Sequence, residues 1–129
     1  MQLIHTDKAP GIIGPYSQAV TFKDLVFVSG QIALSPETGK LVGSNVQEQT
    51  KQCLENITFI LREAKAEIST ILKVVIFLKN MDDFTPVNEI YEIWLKGHRP
   101  SRSTIAVSDL PRQALVKIEC IASISNNRE

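Results

Sequence analysis

Two charged residues near the end of the sequence, Arg102 and Glu119, have the side chains needed to bind and activate a small molecule. Arg102 follows Pro100 and precedes a predicted short strand, whereas Glu119 lies inside the last predicted strand. The period of two along a strand directs Glu119 to the face opposite Val116 and Ile118. A carboxylate on a face that becomes buried needs a partner, because burying an unpaired charge is costly. Arg102 is the natural partner, and a structural salt bridge and a functional site both remain open as interpretations of the pair.

Other catalytic patterns are missing from the sequence. It has no glycine-rich phosphate loop, no metal-type spacing of His and Cys, and no nucleophile elbow. His5 and His98 are far apart and lack the further ligands that a metal site requires. Lys plus Arg and Asp plus Glu number 14 each, so the formal net charge of zero argues against a dedicated nucleic-acid binder. We therefore expect no metal, no nucleic acid and no membrane as partners.

The length and the termini predict one domain. A chain of 129 residues can bury a sizeable core without disulfide bonds or a structural metal, and two cysteines are too few to form a disulfide framework. No secretory signal is visible at the start, and the longest apolar runs are far too short to span a bilayer. The sequence therefore predicts a single cytoplasmic domain over residues 1–129.

Apolar periodicity predicts two helices and several strands. Residues 44–66 carry apolar side chains at three- and four-residue spacing, with Ser44 and Gln47 suited to a capping box. A second helix is predicted from Asp83, its N-cap, to Leu95. Strands are predicted at 18–22 and 25–29 as a hairpin, at 71–78, at 116–124, and at 103–107 beside the last strand. This order of elements indicates an α+β domain with two helices on one face of a sheet.

The predicted strand 71–78 is apolar on both faces. Val74, Ile76 and Leu78 point one way, and Val75 and Phe77 point the other way. Burying side chains of this size stabilises a fold by ~1.5–3 kcal/mol each, so their exposure is unfavourable. We therefore expect a homo-oligomer that buries the helix-free face, with coverage by loops of the same chain as the alternative.

Six blocks of the sequence, in order and spread over nearly the whole chain, resemble the Rid family of reactive-intermediate (imine) deaminases. They are KAPGIIGPYSQAV at 8–20, VSGQI at 28–32, NMDDF at 80–84, VNEIY at 87–91, PSRS at 100–103 and KIE at 117–119. The resemblance implies a chorismate-mutase-like α+β fold, with a single sheet and two helices packed on one face. It also implies a homotrimer whose active sites lie in clefts between subunits.

The same resemblance implies an activity and a set of site residues. The family hydrolyses 2-imino acids such as 2-iminobutanoate and 2-iminopropanoate to 2-oxo acids and ammonia, without a cofactor. By resemblance Arg102 binds the substrate carboxylate, Glu119 activates water and Tyr16 lines the pocket. The remaining substrate-binding positions implied by the resemblance are Ser29, Gly30, Asn88 and the backbone at Thr104. Many members have Cys at the position of Thr104.

Several of these assignments have structural alternatives. Tyr16 after Pro15 fits a turn aromatic, Gly30 fits a turn that needs positive φ, and Asn88 fits a surface helix position. For the protein as a whole, RNA cleavage or translation inhibition is a second hypothesis. A third is a holdase chaperone or a regulator that binds 2-oxo acids without turnover. The preferred imino acid and the subunit that supplies Tyr16 and Asn88 are not readable from the sequence.

Overall fold

The sheet and the helices are described by a computed structural model for residues 1–125. Six strands form one sheet in the order β1-β2-β3-β6-β4-β5, in which β4 and β5 are parallel and the other neighbours are antiparallel. The elements are β1 (Gln2–Ile4), β2 (Ala19–Phe22), β3 (Leu25–Gln31), α1 (Val46–Glu63), β4 (Ile71–Leu78), α2 (Phe84–Leu95), β5 (Ser101–Ala106) and β6 (Val116–Ser123). The predicted α+β architecture, one sheet with two helices on one face, is confirmed.

The predicted hairpin is confirmed, but two strand predictions were incomplete. β2 and β3 pair across Lys23 and Asp24, and Lys23 has a φ of 56°. Strand β1 was not predicted, because three residues are too few to show a period. The prediction that the strand near 103–107 pairs with the last strand was wrong, since β5 pairs with β4. The connection β4-α2-β5 explains this, because a helical crossover returns the chain to lie parallel beside the strand it left.

The start of α1 differs from the predicted cap, whereas α2 has its N-cap at the predicted residue, Asp83. Helix α1 is capped by Asn45, whose Oδ1 accepts from the Glu48 amide at 2.8 Å, while the Ser44 amide donates to Glu48 Oε1 at 3.1 Å. The reciprocal capping pair therefore lies one residue later than the predicted Ser44 and Gln47. Asp83 occupies the N-cap position of α2, but its side chain makes no capping hydrogen bond. A 3₁₀ turn at Met81–Asp83 precedes α2, and this turn is capped by Asn80, whose Oδ1 accepts from the Asp82 amide at 2.9 Å.

The core lies between the helices and one face of the sheet. Val74, Ile76 and Leu78 are buried there, as the alternation in 71–78 predicted. On the opposite face Val75 and Phe77 are only half-buried, and Phe22 is 55% exposed and Phe27 39% exposed. This helix-free face therefore carries apolar side chains that residues 1–125 of one chain do not cover. Burial of these side chains in a homo-oligomer stays a prediction. No helix of this part of the chain is long and apolar enough to cross a membrane.

Both cysteines are expected to be unreactive in the folded protein. Cys53 and Cys120 are buried, and burial raises the pKa of the Cys120 thiol to about 12, which leaves very little thiolate near neutral pH. Titration with a chromogenic disulfide reagent at pH 8 should detect no rapidly reacting thiol in the native protein and both thiols after denaturation in urea. A fast-reacting native thiol would contradict this burial.

Candidate active site

Glu119 lies at the centre of β6 opposite a β-bulge. Val28 pairs with Cys120 and Gln31 pairs with Ile118, so three steps along β3 oppose two steps along β6. Ser29 and Gly30 are the residues inside this bulge, and they face Glu119. A bulge places an extra residue in one strand and redirects its neighbours, a device found often beside active sites. Glu119 points to the helix-free side of the sheet, in agreement with the prediction from its position in the strand.

Ser29 is held by the chain segment that carries Tyr16. Its Oγ donates to the Ser17 carbonyl at 2.6 Å, and its amide donates to the Gln18 carbonyl at 2.9 Å. The hydroxyl proton of Ser29 is therefore already committed, and only the lone pairs of its Oγ are available to a bound molecule. Tyr16 is half exposed and reaches the same region after a tight turn in which its amide donates to the Gly14 carbonyl at 3.0 Å.

Gly30 lies close against the Lys117 side chain, and its backbone angle does not require glycine. The predicted alternative of a turn with positive φ is wrong, because Gly30 is not among the glycines with positive φ. A Cβ at this position would collide with Lys117 Cε and lie 3.3 Å from both Lys117 Cγ and Cδ. The aliphatic part of Lys117 therefore crosses directly over Gly30, beside Glu119.

A buried glutamine fixes the loop in front of these residues. Gln18 Oε1 accepts from the Thr6 amide at 2.7 Å, and its Nε2 donates to the carbonyls of Thr6 at 3.0 Å and Pro10 at 2.8 Å. The Gln18 side chain thereby pairs backbone groups of this irregular segment that no neighbouring strand pairs, because buried polar groups need hydrogen-bond partners. The loop is thereby held as one wall of a cavity.

The cavity, which we call the Glu119 pocket, has a volume of about 650 Å³. It brings together four of the predicted site residues, which are Tyr16, Ser29, Gly30 and Glu119. Lys117 and Arg112 add two cationic side chains to its lining. The remaining lining residues are Pro10, Gly11, Ile12, Ile13, Gln18, Gln31, Ile32, Leu34 and Pro111.

The other three predicted residues form a separate group, the Arg102 cluster, at the β5 edge of the sheet. Arg102 Nη1 donates to Asn88 Oδ1 at 2.5 Å, which joins β5 to α2. The guanidinium carbon lies 5.5 Å from the ring centre of Phe84 and 5.3 Å from that of Tyr91. A planar cation stacked on two rings and held at one nitrogen keeps its other donors free for an anion. Asn88 is therefore a partner of Arg102 and not only a surface helix residue.

Thr104 and Tyr91 contribute buried hydroxyls beside Arg102. Thr104 is two residues along β5 from Arg102, and so shares its face of the strand. Thr104 Oγ1 and the Tyr91 hydroxyl are both buried without a hydrogen-bond partner within residues 1–125. Burial raises the pKa of the Tyr91 phenol, and the Arg102 guanidinium partly opposes that rise. The phenol therefore stays protonated and neutral near pH 7.

Replacing Tyr91 with phenylalanine is expected not to lower the free energy of unfolding. The substitution keeps the ring under Arg102 and removes a buried hydroxyl whose desolvation is uncompensated, so stability should rise by up to about 1 kcal/mol. Urea unfolding of both proteins measures the difference. A loss of stability of that size would show that the hydroxyl makes a bond that these contacts do not reveal.

One chain does not bring Arg102 and Glu119 together, so their predicted pairing at a subunit interface would join two copies of the chain and stays a prediction. Arg102 is in register with Val74, which faces the helices, whereas Glu119 is in register with Val75, which faces the opposite side. Strand β4 also lies between the strands that carry them. No salt bridge joins them among the ion pairs of residues 1–125. A structural salt bridge between them is therefore excluded within the described chain, and the Glu119 pocket and the Arg102 cluster are two separate groups of candidate site residues.

The protein-family model described as Endoribonuclease L-PSP matches residues 6–124. The chain belongs to this family, the Rid family. The fold of this Rid-family chain is shared with the crystal structure of E. coli TdcF with bound serine, at a TM-score of 0.92 and 38% identity, covering 97% of this chain and all of TdcF.

Two relatives of this Rid-family protein carry different functional names. The 2-iminobutanoate/2-iminopropanoate deaminase of Mus musculus is 43% identical over 121 residues, which is 94% of this chain and 90% of the mouse protein. The putative regulator AldR of Lactococcus lactis is 40% identical over 126 residues, which is 98% of this chain and all of AldR. A relative named as an enzyme and a relative named as a regulator are therefore similar in sequence identity to this chain.

The structure also places residues that sequence reasoning missed. Lys117 and Arg112 line the Glu119 pocket, although Lys117 was visible only as part of the KIE block and Arg112 was not singled out. Their type and their nearness in sequence to Glu119 were available signals. Tyr91 is the last residue of the VNEIY block, and nothing in that block indicates that its buried ring supports Arg102. Within residues 1–125 there is no cluster of three or more His, Cys, Asp or Glu that could hold a metal ion.

Proposed function

We propose that this protein hydrolyses small 2-imino acids, such as 2-iminobutanoate and 2-iminopropanoate, to 2-oxo acids and ammonia. The observation that carries the proposal is the division of the predicted site residues into two complementary half-sites. A carboxylate opposite a bulge lines one cavity, and a guanidinium held by Asn88 and two rings lies at the sheet edge. The similarity to the mouse deaminase supports the same assignment.

Arg102 provides recognition of the substrate carboxylate. Its guanidinium is permanently charged, and its planar fork matches the two oxygens of a carboxylate. The hydrogen bond to Asn88 uses one of its nitrogens as donor and fixes the orientation of the plane. The backbone amide at Thr104, on the same strand, is proposed as a further contact to the bound carboxylate.

Glu119 provides the base for hydrolysis. Its carboxylate takes a proton from water as the water oxygen bonds to the carbon of the protonated imine, whose C=N π electrons move to nitrogen and leave it a neutral amine. Glu119 then gives this proton to the amine nitrogen of the carbinolamine. Breaking the C–N bond releases ammonia and forms the C=O bond, and the hydroxyl proton passes to the Glu119 carboxylate and from there to solvent or to the ammonia. Tyr16 and the oxygen of Ser29 line the space in which the water and the imine are held.

The site is complete only between two copies of the chain in this proposal. Glu119 lies on the helix-free face, whose apolar side chains favour burial against another copy. Arg102 lies at the β5 edge. In the proposed homotrimer, the β5 edge of one copy closes the Glu119 pocket of the next, and Arg102 and Glu119 then face the same substrate.

A coupled assay tests the proposed activity. A pyridoxal-phosphate threonine dehydratase supplies 2-iminobutanoate, and release of 2-oxobutanoate is followed with and without this protein at equal dehydratase flux. We expect faster release in its presence. Release at the uncatalysed rate, with the protein folded and oligomeric, would reject the proposal.

A regulator that binds 2-oxo acids without turnover is a second candidate, favoured by the similarity to AldR. Calorimetry with 2-oxobutanoate separates the two functions. Binding together with an accelerated release supports the enzyme, and binding without acceleration supports the regulator.

A further inference from the structure

A second concave surface lies on the helix layer, on the side of the sheet opposite the helix-free face. This groove between α1 and α2 has a volume of about 490 Å³, within the range typical of small-molecule sites. It is lined by Lys51, Leu54, Glu55, Thr58, Phe59, Arg62, Ile68, Ile90, Ile93, Trp94 and Lys96. The proposed trimer buries the other side of the sheet, so this groove stays open in the assembly.

The groove is apolar because its polar atoms are paired internally. Trp94 Nε1 donates to Thr58 Oγ1 at 3.0 Å, and Thr58 Oγ1 donates to the Leu54 carbonyl at 2.7 Å. The indole is thereby fixed in place without needing a polar ligand. Ile93, on the same wall, is 76% exposed, which is costly for an aliphatic side chain of this size unless something covers it. The groove therefore suits an apolar ligand body.

The rim of the groove is cationic. Lys51, Arg62 and Lys96 face a single acidic residue, Glu55, in a chain whose formal net charge is zero. None of these three cations takes part in a salt bridge of the described residues. The Arg62 guanidinium carbon lies 5.5 Å from the centre of the Phe59 ring, which holds the charge at the mouth. The local excess of positive charge is complementary to an anion.

We propose that this groove is a second ligand site, for small molecules with an aryl or alkyl body and one carboxylate. The apolar body lies against Leu54, Ile90 and Trp94, and the carboxylate is bound by Arg62 with Lys96. This site uses none of the residues assigned to imine hydrolysis. It is therefore independent of the proposed function.

Phenylbutyrate is a suitable probe, because Trp94 is the single tryptophan of the chain and lies in the groove. Its fluorescence is followed during titration of the oligomeric protein with phenylbutyrate and, in parallel, with phenylbutylamine. We expect a saturable change with the carboxylate and at least roughly tenfold weaker binding of the amine. Equal responses to the two molecules would overturn the proposal.

Variants of the protein show which site produces the change in Trp94 fluorescence. Arg62→Glu, and independently Lys96→Glu, should each weaken phenylbutyrate binding by roughly tenfold, whereas Lys40→Glu makes the same charge change as Lys96→Glu at an exposed loop position and should have no effect. Arg102→Ala should also leave binding unchanged, a necessary control because the Tyr91 and Trp94 ring centres are 6.3 Å apart. Loss of the response in Arg102→Ala, or its persistence in both groove variants, would assign the signal elsewhere and reject the second site.

Discussion

Replacement of Arg102 by alanine is expected to reduce the acceleration of 2-oxobutanoate release by about 100-fold to 1,000-fold. The variant loses two charge-assisted hydrogen bonds to the substrate carboxylate, which are worth about 3 to 4 kcal/mol together. The side chain is exposed at the β5 edge, so its removal leaves the core intact. The assay is the dehydratase-coupled measurement, with size-exclusion chromatography to show that the oligomer is retained.

Arg102→Lys is the matched control for charge. Lysine keeps the positive charge but lacks the planar fork and the second nitrogen that reaches Asn88 while binding the carboxylate. We therefore expect this variant to remain strongly impaired. Full activity of Arg102→Lys would show that only charge is needed, and full activity of Arg102→Ala would remove Arg102 from the mechanism.

Glu119→Gln is expected to lower the catalysed rate by roughly 100-fold or more, the range typical of a lost general base. Glutamine has nearly the same shape, so it keeps the packing opposite the Ser29–Gly30 bulge but cannot accept the proton of the attacking water. Binding of 2-oxobutanoate measured by calorimetry should change little, because Arg102 makes the main contact with the ligand.

Lys117→Met separates the role of Glu119 from the general charge of its pocket. It removes a neighbouring cation of the same cavity while keeping an unbranched side chain over Gly30. We expect a much smaller effect on the rate than that of Glu119→Gln. A rate unchanged by Glu119→Gln would contradict the assignment of this residue as the base.

The parts of the fold that could be predicted are those with a strict period. Alternation along 71–78 and along 116–123 correctly indicated which side chains face the helices, and so placed Glu119 on the other face. The turn at Lys23 and Asp24 fixed the hairpin in the same local way. These features depend on a few consecutive residues, which is why the pattern alone was sufficient.

The features that escaped prediction depend on partners distant in sequence. The position of β5 beside β4, and with it the face on which Arg102 lies, is set by the crossover through α2. The bulge that places Ser29 and Gly30 opposite Glu119 arises from pairing between β3 and β6. The bonds of Gln18 to Thr6 and Pro10 join an irregular loop to the strand start. No local spacing encodes such contacts, so the site residues came from family resemblance instead.

In the proposed mechanism each active site combines Arg102 of one copy with Glu119 of a neighbouring copy. The most direct test mixes the two inactive variants, Arg102→Ala and Glu119→Gln, in equal amounts under denaturing conditions and reassembles them. Random assembly pairs an intact Arg102 with an intact Glu119 across about one quarter of the interfaces, so about one quarter of the wild-type activity should return. Reassembled mixed oligomers with no more activity than the separate variants would contradict the shared site.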